Sequence, residues 1–217
     1  MNEVSKNNMT MKAIIINGSP KAKGNTARAL REVEQTLNQQ GIETEWIHVG
    51  HMNIHGCIAC NKCWDTGVCA FKDIVNEISQ KMKDADGLVV GSPVYFASPN
   101  GTLLALLDRL FYSNLHTDWS MKVGATVSIA RRGGATTTMD ALNKYFLKTN
   151  MPLVPSQYWS IAHGTSPEEV LQDEEGMQTM RQLGLNMAFM IKSFRLGLEK
   201  YGSPKINEEL VETHYIR

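Results

Sequence analysis

Short apolar runs alternate with amphipathic segments along most of the chain. Lys12–Asn17 (KAIIIN) is rich in β-branched residues and lacks polar alternation, as expected of a strand buried on both faces of a parallel sheet. Further strands are predicted at 42–49, 87–91, 123–130 and 153–161. Apolar residues recur with helical spacing at 25–40, 73–84, 102–115, 136–148 and 167–201. This alternation predicts an α/β fold, a doubly wound five-stranded parallel sheet with helices on both faces.

The ends of the chain are polar and short. Residues 1–10 are predicted to form a disordered arm, residues 11–201 a single domain, and residues 202–217 a tail that is a candidate oligomer contact. The start lacks the apolar core of a signal peptide, and no run reaches the roughly 18 apolar residues of a membrane span. We therefore expect a cytoplasmic protein without membrane association.

The charge balance limits the classes of partner. The chain carries 22 Lys and Arg and 22 Asp and Glu residues, so its formal net charge is zero. Proteins that bind nucleic acid need a basic surface to neutralise phosphates. We therefore expect no nucleic-acid partner.

The loop after the first strand is a candidate phosphate site. It reads GSPKAKGNT from Gly18 to Thr26 and leads into a predicted helix, whose N-terminal N–H groups attract anions. Five residues separate Gly18 from Gly24 and Asn25 stands where a P-loop has lysine, while Pro20 interrupts a dinucleotide fingerprint. A terminal monophosphate, as in FMN, remains; the alternative is an ordinary strand-to-helix turn.

The loop after the third strand is a candidate site for a flat ring. Residues 91–101 (GSPVYFASPNG) combine two prolines, small residues and an aromatic pair. Ligands of doubly wound sheets bind at the carboxyl ends of the strands, where this loop lies. A stiff loop that presents aromatic rings there suits a planar ligand. The alternative is an apolar loop packed on the core.

The four cysteines lie within thirteen residues, at Cys57, Cys60, Cys63 and Cys69. Clustered cysteines in a cytosolic chain indicate metal binding or redox activity more often than structural disulfides. The spacing is close to that of four-cysteine iron–sulfur sites, although the last gap differs from the ferredoxin pattern. Zinc, which usually takes two separated pairs, and free or disulfide-paired thiols remain as alternatives.

Two segments carry a resemblance to a known family. NGSPKAKGNTARAL and GSPVYFASPNGTLLALLDRL resemble the NADPH-dependent FMN reductase family, a branch of the flavodoxin-like superfamily. The resemblance runs from about Met11 to Tyr201, and the cysteine spacing is similar to that of the iron–sulfur flavoprotein subgroup. It implies a flavodoxin-like fold, FMN as cofactor, NAD(P)H as co-substrate and a homodimer or homotetramer.

The same resemblance implies roles for particular residues. The FMN phosphate would be held by Ser19, Lys21, Gly24, Asn25 and Thr26. The isoalloxazine would be lined by Pro93, Val94, Tyr95 and Phe96. In the third flavin loop, Arg131, Gly133 and Gly134 would stabilise the charge of the reduced flavin, unless the arginines are plain surface charges. Ala135 replaces a glutamine common in relatives, and Cys57, Cys60, Cys63 and Cys69 would ligate a [4Fe–4S] cluster near the flavin.

These expectations favour an oxidoreductase whose chemistry belongs to its cofactor. FMN would take electrons from NAD(P)H and pass them, through the cluster if it is assembled, to a small acceptor or to ferredoxin. No side chain needs to act as an acid or base, so no catalytic residue is assigned. The alternatives are a non-enzymatic flavin and iron–sulfur electron carrier linked to ferredoxin, and a redox sensor based on the cysteines.

Overall fold

A computed structural model describes residues 10–205, 208–209 and 211–214. The predicted N-terminal arm, except for Thr10, lies outside the described residues, as do parts of the predicted tail. Five strands form one sheet in the order β2-β1-β3-β4-β5, and every neighbouring pair is parallel. The strands are Lys12–Asn17 (β1), Glu43–His48 (β2), Gly87–Pro93 (β3), Val123–Ala130 (β4) and Ile161–His163 (β5). The predicted doubly wound fold is confirmed.

Helices cover both faces of the sheet. They are Asn25–Gln39 (α1), Lys62–Thr66 (α2), Ile74–Asp84 (α3), Gly101–Ser113 (α4), Ala135–Lys148 (α5), Pro167–Gln172 (α6) and Glu174–Tyr201 (α7). The α1, α6 and α7 helices pack on one face, and α3, α4 and α5 pack on the other. No helix in the described part of the chain has both the length and the apolar character that crossing a membrane requires.

The alternation of side chains along β1 divides the core in two. Ala13 and Ile15 point into the layer under α1 and α7, whereas Ile14 and Ile16 point into the layer under α3, α4 and α5. All four are fully buried. Burial of each isoleucine side chain stabilises the fold by about 1.5–3 kcal/mol, as expected of a strand that lies inside the sheet between β2 and β3.

The methionines of the long α7 helix belong mainly to this core. Met177, Met180 and Met187 are buried against the sheet and α1. Gly184 allows α7 to approach α1 closely, because a Cβ there would lie 2.7 Å from the Cβ of Thr36. The helical stripe seen in the sequence is therefore a packing face within one chain.

The fifth strand differs from its prediction. Before Ile161 the predicted strand makes one isolated bridge to β4, between Leu153 and Gly124, and regular pairing starts at Ile161. Pro155 cannot donate to a ladder, so the chain leaves the sheet there and returns only for three residues.

The predicted last helix is interrupted at Asp173. This residue ends α6 and caps α7, because its Oδ1 accepts from the N–H of Gly176 at 2.9 Å. Its Oδ2 accepts from the N–H of His163 at 2.7 Å, which ties the start of α7 to β5. The cap and this tie hold the backbone of Asp173 out of helical geometry, with φ −76° and ψ 80°.

Candidate functional site

The three loops proposed from the sequence meet at the carboxyl edge of the sheet. The N–H of Gly18 donates to the carbonyl of Gly91 at 2.8 Å, joining the loops after β1 and β3. The hydroxyl of Thr137 donates to the carbonyl of Ala97 at 2.9 Å, joining the turn after β3 to the start of α5. The parallel order of β1, β3 and β4 thus brings together segments about a hundred residues apart.

The helix after β1 begins without a side-chain cap. Gly24 occupies the N-cap position, where it has no side chain to cap the helix, and the first turn contains no acidic residue. The first N–H groups of a helix have no intrahelical partner, so they are available to an anion. Thr26 is 1% exposed, and its hydroxyl has no hydrogen-bond partner among the described residues. This set of donors suits a phosphate.

The phosphate loop, residues 18–24, is held by hydrogen bonds to its own side chains and to Asn17, and by contacts with the end of β2 and the segment after it. The N–H of Ser19 donates to Oδ1 of Asn17 at 3.0 Å, and the N–H of Lys21 donates to Oγ of Ser19 at 3.2 Å. The ring Nε2 of His48 lies 2.7 Å from the carbonyl oxygen of Ser19. A Cβ on Gly50 would lie 2.3 Å from that oxygen, so only glycine fits below the loop.

The predicted phosphate residues take different positions. Ser19 and Thr26 are buried, whereas Lys21 is exposed. The side chain of Asn25 donates to the carbonyl of Gly164 at 2.8 Å, so the amide ties α1 to the loop after β5. Asn25 can still present its backbone N–H to an anion. The sequence did not indicate His48 or Gly50, because their contact with Ser19 depends on the pairing of β1 with β2.

The turn after β3 projects two aromatic side chains. Tyr95 and Ser98 exchange two backbone hydrogen bonds of 2.9 and 3.0 Å, and the intervening Phe96 and Ala97 have φ of 51° and 58°. Positive φ at both central positions is the geometry of a tight hairpin turn, and it is rare for a residue as bulky as phenylalanine. The Phe96 ring is fully exposed and Tyr95 is 46% exposed. The turn therefore offers an aromatic surface beside the phosphate loop.

The glycine loop after β4 packs against that turn. Gly134 has φ 85°, and a Cβ there would lie 2.8 Å from the Cα of Ala97, so this position requires glycine. Arg131 and Gly133 are exposed, while Gly134 is half-buried. The loop also borders a cavity of about 300 Å³ whose other walls include Tyr158, Trp159 and His163. The sequence did not indicate these last three as one group, because the fifth strand was predicted too early in the chain.

The cysteine loop, residues 57–69, lies beside the C-terminal half of α4. Cys57 and Cys60 are exposed, Cys69 is half-buried and Cys63 is buried, and none is in a disulfide. All four line one small cavity of about 20 Å³. Ala59 and Asn61 adopt positive φ of 51° and 57° between the cysteines, a strained path for residues with a side chain.

The donor set fits an iron–sulfur cluster better than a single ion. Among the described residues, no three or more His, Cys, Asp or Glu side chains are arranged to hold a metal ion. In a [4Fe–4S] cluster each thiolate binds a different iron, so four sulfurs that line one cavity are the relevant feature. Burial raises the pKa of the Cys63 thiol, and the three neighbouring cysteines add to this shift. Without a positive partner, Cys63 therefore favours the protonated thiol.

A buried arginine behind Cys69 was not found from the sequence. Arg109 of α4 is 1% exposed and forms an ion pair with Asp73, with Nη1–Oδ2 and Nη2–Oδ1 distances of 2.7 and 2.9 Å. Its Nε and Nη2 each lie 3.3 Å from Sγ of Cys69. Burial opposes the charge, but these hydrogen bonds raise the pKa of the Arg109 guanidinium above its ordinary value. Arg109 is therefore a permanent cation beside the cysteine loop.

The backbone of Cys69 is held separately by α3. Asn76 accepts from the N–H of Cys69 and donates to its carbonyl, both at 3.0 Å. It also donates to the carbonyl of Phe71 at 2.9 Å. These bonds fix the only part of the cysteine set that lies beyond α2.

Comparison with known proteins agrees with this geometry. Residues 11–166 match the model of the NADPH-dependent FMN reductase family. An iron-sulfur flavoprotein of Methanocaldococcus jannaschii is 36% identical over 189 residues, which cover 84% of this chain and 98% of the relative. An iron-sulfur flavoprotein of Archaeoglobus fulgidus is 32% identical over 183 residues, covering 82% of this chain and 90% of the relative.

Solved structures agree at the level of the fold. RosB, solved with 8-demethyl-8-formylriboflavin-5'-phosphate, superposes with a TM-score of 0.69 at 16% identity and covers 95% of this chain and 94% of its own. A flavodoxin from the Archaea gives a TM-score of 0.56 at 16% identity and covers 84% of this chain and 99% of its own. With the family match, these findings mean that the chain belongs to the NADPH-dependent FMN reductase family and resembles its iron–sulfur flavoproteins.

Proposed function

We propose that this protein is an FMN-dependent oxidoreductase that passes electrons from NAD(P)H to a small acceptor or a redox protein, by way of a [4Fe–4S] cluster. The observation that carries the proposal is the uncapped start of α1 with the buried, unpartnered hydroxyl of Thr26. That anion site lies at the edge of the sheet where the aromatic turn and the glycine loop contact each other. Membership of the family supports a flavin-dependent oxidoreductase.

The residues around α1 would bind and orient the cofactor. The N–H groups of the first turn and the Thr26 hydroxyl would hold the FMN phosphate, and Lys21 would add positive charge at the exposed side. Tyr95 and Phe96 would cover the flat ring, which removes their exposed surface from water. Bound FMN supplies the chemistry, since it accepts two electrons and a proton as hydride and can release the electrons singly.

The loop after β4 would stabilise the negative charge of the reduced flavin ring. Gly133 and Gly134 carry no side chain that would keep their N–H groups from a ligand, and Gly134 begins α5 without a side-chain cap. Such N–H groups stabilise a negative charge that develops next to them. Arg131 is exposed beside them and would strengthen the same effect.

The four cysteines would hold the cluster as the one-electron partner. Their common cavity and the names of the relatives support this assignment. A homodimer or homotetramer is part of the proposal, because Phe189 of α7 is 71% exposed and a second copy would cover such a ring. Light scattering on the purified protein tests the number of copies.

The function is tested on protein purified without oxygen. We expect FMN to bind, iron and acid-labile sulfide to be present at about four of each per chain, and NADPH or NADH to bleach the flavin absorbance. Absence of FMN binding would contradict the whole proposal. Bleaching by reduced ferredoxin but by neither nicotinamide nucleotide would favour the electron carrier instead, and protein that binds FMN without iron would remove the cluster from it.

A further inference from the structure

Arg109 is the most deeply buried charged side chain in the described part of the chain. It lies on the buried side of α4 with Leu106 and Leu110, 40 residues along the chain from Cys69, the cysteine to which it donates. A buried cation is costly unless its N–H groups are satisfied. The partners of Arg109 therefore indicate what it is for.

The two edges of the guanidinium face two different side chains. Nη1 and Nη2 donate to the carboxylate of Asp73, whereas Nε and Nη2 donate to Sγ of Cys69. Nη1 also donates to the carbonyl of His55 at 3.3 Å. The carboxylate of Asp73 alone would neutralise the charge of Arg109. Charge balance therefore does not explain why the second edge of the guanidinium faces the sulfur of Cys69.

Sulfur is a weak acceptor as a thiol and a much better one as a thiolate. Two N–H groups at 3.3 Å, backed by a permanent positive charge, suit a cysteine that carries negative charge. The Phe71 ring lies 4.7 Å from the guanidinium carbon and screens the group from water, which strengthens both hydrogen bonds.

We propose that Arg109 sets the reduction potential of the [4Fe–4S] cluster by donating two hydrogen bonds to the sulfur of Cys69. This inference rests on the proposed function, since it needs the cluster. The cluster gains one electron on reduction and loses it on oxidation, with no bond made or broken. Added electron density on the ligand sulfurs strengthens the bonds from Arg109, so they favour the reduced form and raise the potential.

Asp73 acts in the opposite sense. Its carboxylate accepts from the Nη1–Nη2 edge of Arg109, next to the Nε–Nη2 edge that faces the sulfur, and adds a negative charge that disfavours reduction. It also caps α3, because its Oδ1 accepts from the N–H of Val75 at 3.1 Å. Asparagine caps helices as well as aspartate does, so Asp73→Asn removes the charge and keeps the cap.

The experiment compares midpoint potentials in whole protein with reconstituted iron and sulfide. Redox titration followed by electron paramagnetic resonance measures the cluster, and flavin absorbance in the same samples measures FMN. We expect Arg109→Lys to lower the cluster midpoint, Asp73→Asn to raise it, and the flavin midpoint to move less than the cluster midpoint in both. The matched control is Arg181→Lys, which alters an exposed ion pair with Glu32 on another face.

Each outcome decides the inference. Opposite shifts in the two variants support it, because a purely structural role of Arg109 does not predict an opposite effect of Asp73→Asn. Unchanged midpoints, or shifts equal to that of the control, would overturn it. If Arg109→Lys loads no cluster, the direction of the Asp73→Asn shift decides. If wild-type protein takes up no iron, the proposed cluster fails first, and iron analysis identifies that case.

Discussion

Two buried threonines of α1 differ in whether the fold itself supplies a hydrogen-bond partner for the hydroxyl group. Thr36 donates to the carbonyl of Glu32 at 2.9 Å, so its hydroxyl is satisfied within the helix. Thr26, the second residue of α1, has no partner for its hydroxyl in the described part of the chain. An unpartnered buried hydroxyl destabilises a fold. Its presence at the open end of a helix therefore indicates a ligand.

Replacing Thr26 by valine tests this interpretation. We expect FMN affinity to fall by about tenfold to a hundredfold, because a hydrogen bond to a charged group contributes about 1.5–3 kcal/mol. The stability of the FMN-free protein should stay equal or rise, since no hydrogen bond is lost. Calorimetric titration and thermal unfolding measure the two quantities. Thr36→Val is the control, with the opposite pattern of lower stability and unchanged affinity.

Gly50 offers a second test, from below the phosphate loop. A Cβ there would meet the carbonyl carbon and oxygen of Ser19 at 2.2 and 2.3 Å, so Gly50→Ala must displace the loop. Overpacking of this kind costs about 1–3 kcal/mol, and we expect FMN to bind roughly tenfold more weakly. Fluorescence quenching of FMN measures the affinity. Gly56→Ala, which has open space around it, should leave affinity unchanged, and equal effects of both variants would argue against this role.

The site could be predicted from the sequence only in part, and Arg109 shows the physical reason. The phosphate loop, the aromatic turn and the cysteines are continuous segments, so their spacing is visible along the chain. Arg109 and Cys69 are 40 residues apart and meet only through the packing of α4. The available signal was an arginine at a position of the apolar LLALLDRLFY run that faces inward.

At the scale of secondary structure, the elements that could be predicted are those whose pattern is visible in one continuous segment of the sequence. The strands β1, β3 and β4 are buried runs with clear ends, whereas β2 is a partly buried strand at the edge of the sheet. The β5 strand has only three residues, too few for a pattern, and the apolar segment before it makes only one isolated bridge to β4. The short α2 helix was missed because it carries the cysteine spacing instead of a helical period.

The α3 helix gives a prediction for the cysteine loop. Asn76 holds the backbone of Cys69 and Phe71 with three hydrogen bonds, so Asn76→Ala should loosen the fourth ligand while alanine keeps the helix intact. Loss of such a supporting residue typically weakens metal binding by about 10–100-fold. Release of iron to a chelator from cluster-loaded protein measures it. The exposed Gln80→Ala on the same helix is the control, and equal release from both would contradict the role of Asn76.

At the scale of the whole molecule, the order of the strands determines what can act together. Because β1 lies between β2 and β3, the phosphate loop rests on the segment after β2 and contacts the end of β3. The cysteine loop follows from β2 and packs on α4, the helix that starts after the aromatic turn. The α4 helix therefore connects the part of the chain that would hold the flavin ring to the part that would hold the cluster.

Binding of FMN should consequently stabilise the entire domain and not one loop. At a concentration one hundred times the dissociation constant, a ligand specific for the folded state adds about 2.7 kcal/mol. For a chain of this size that corresponds to a rise of about 5–10 °C in the midpoint of thermal unfolding. Riboflavin, which has the ring but no phosphate, should give a much smaller rise at the same concentration, because it leaves the first turn of α1 without an anion. Calorimetric scans of FMN-free protein with each ligand measure the difference. Equal rises would mean that the ring contacts, and not the start of α1, provide most of the affinity, and the assignment of Thr26 would then be wrong.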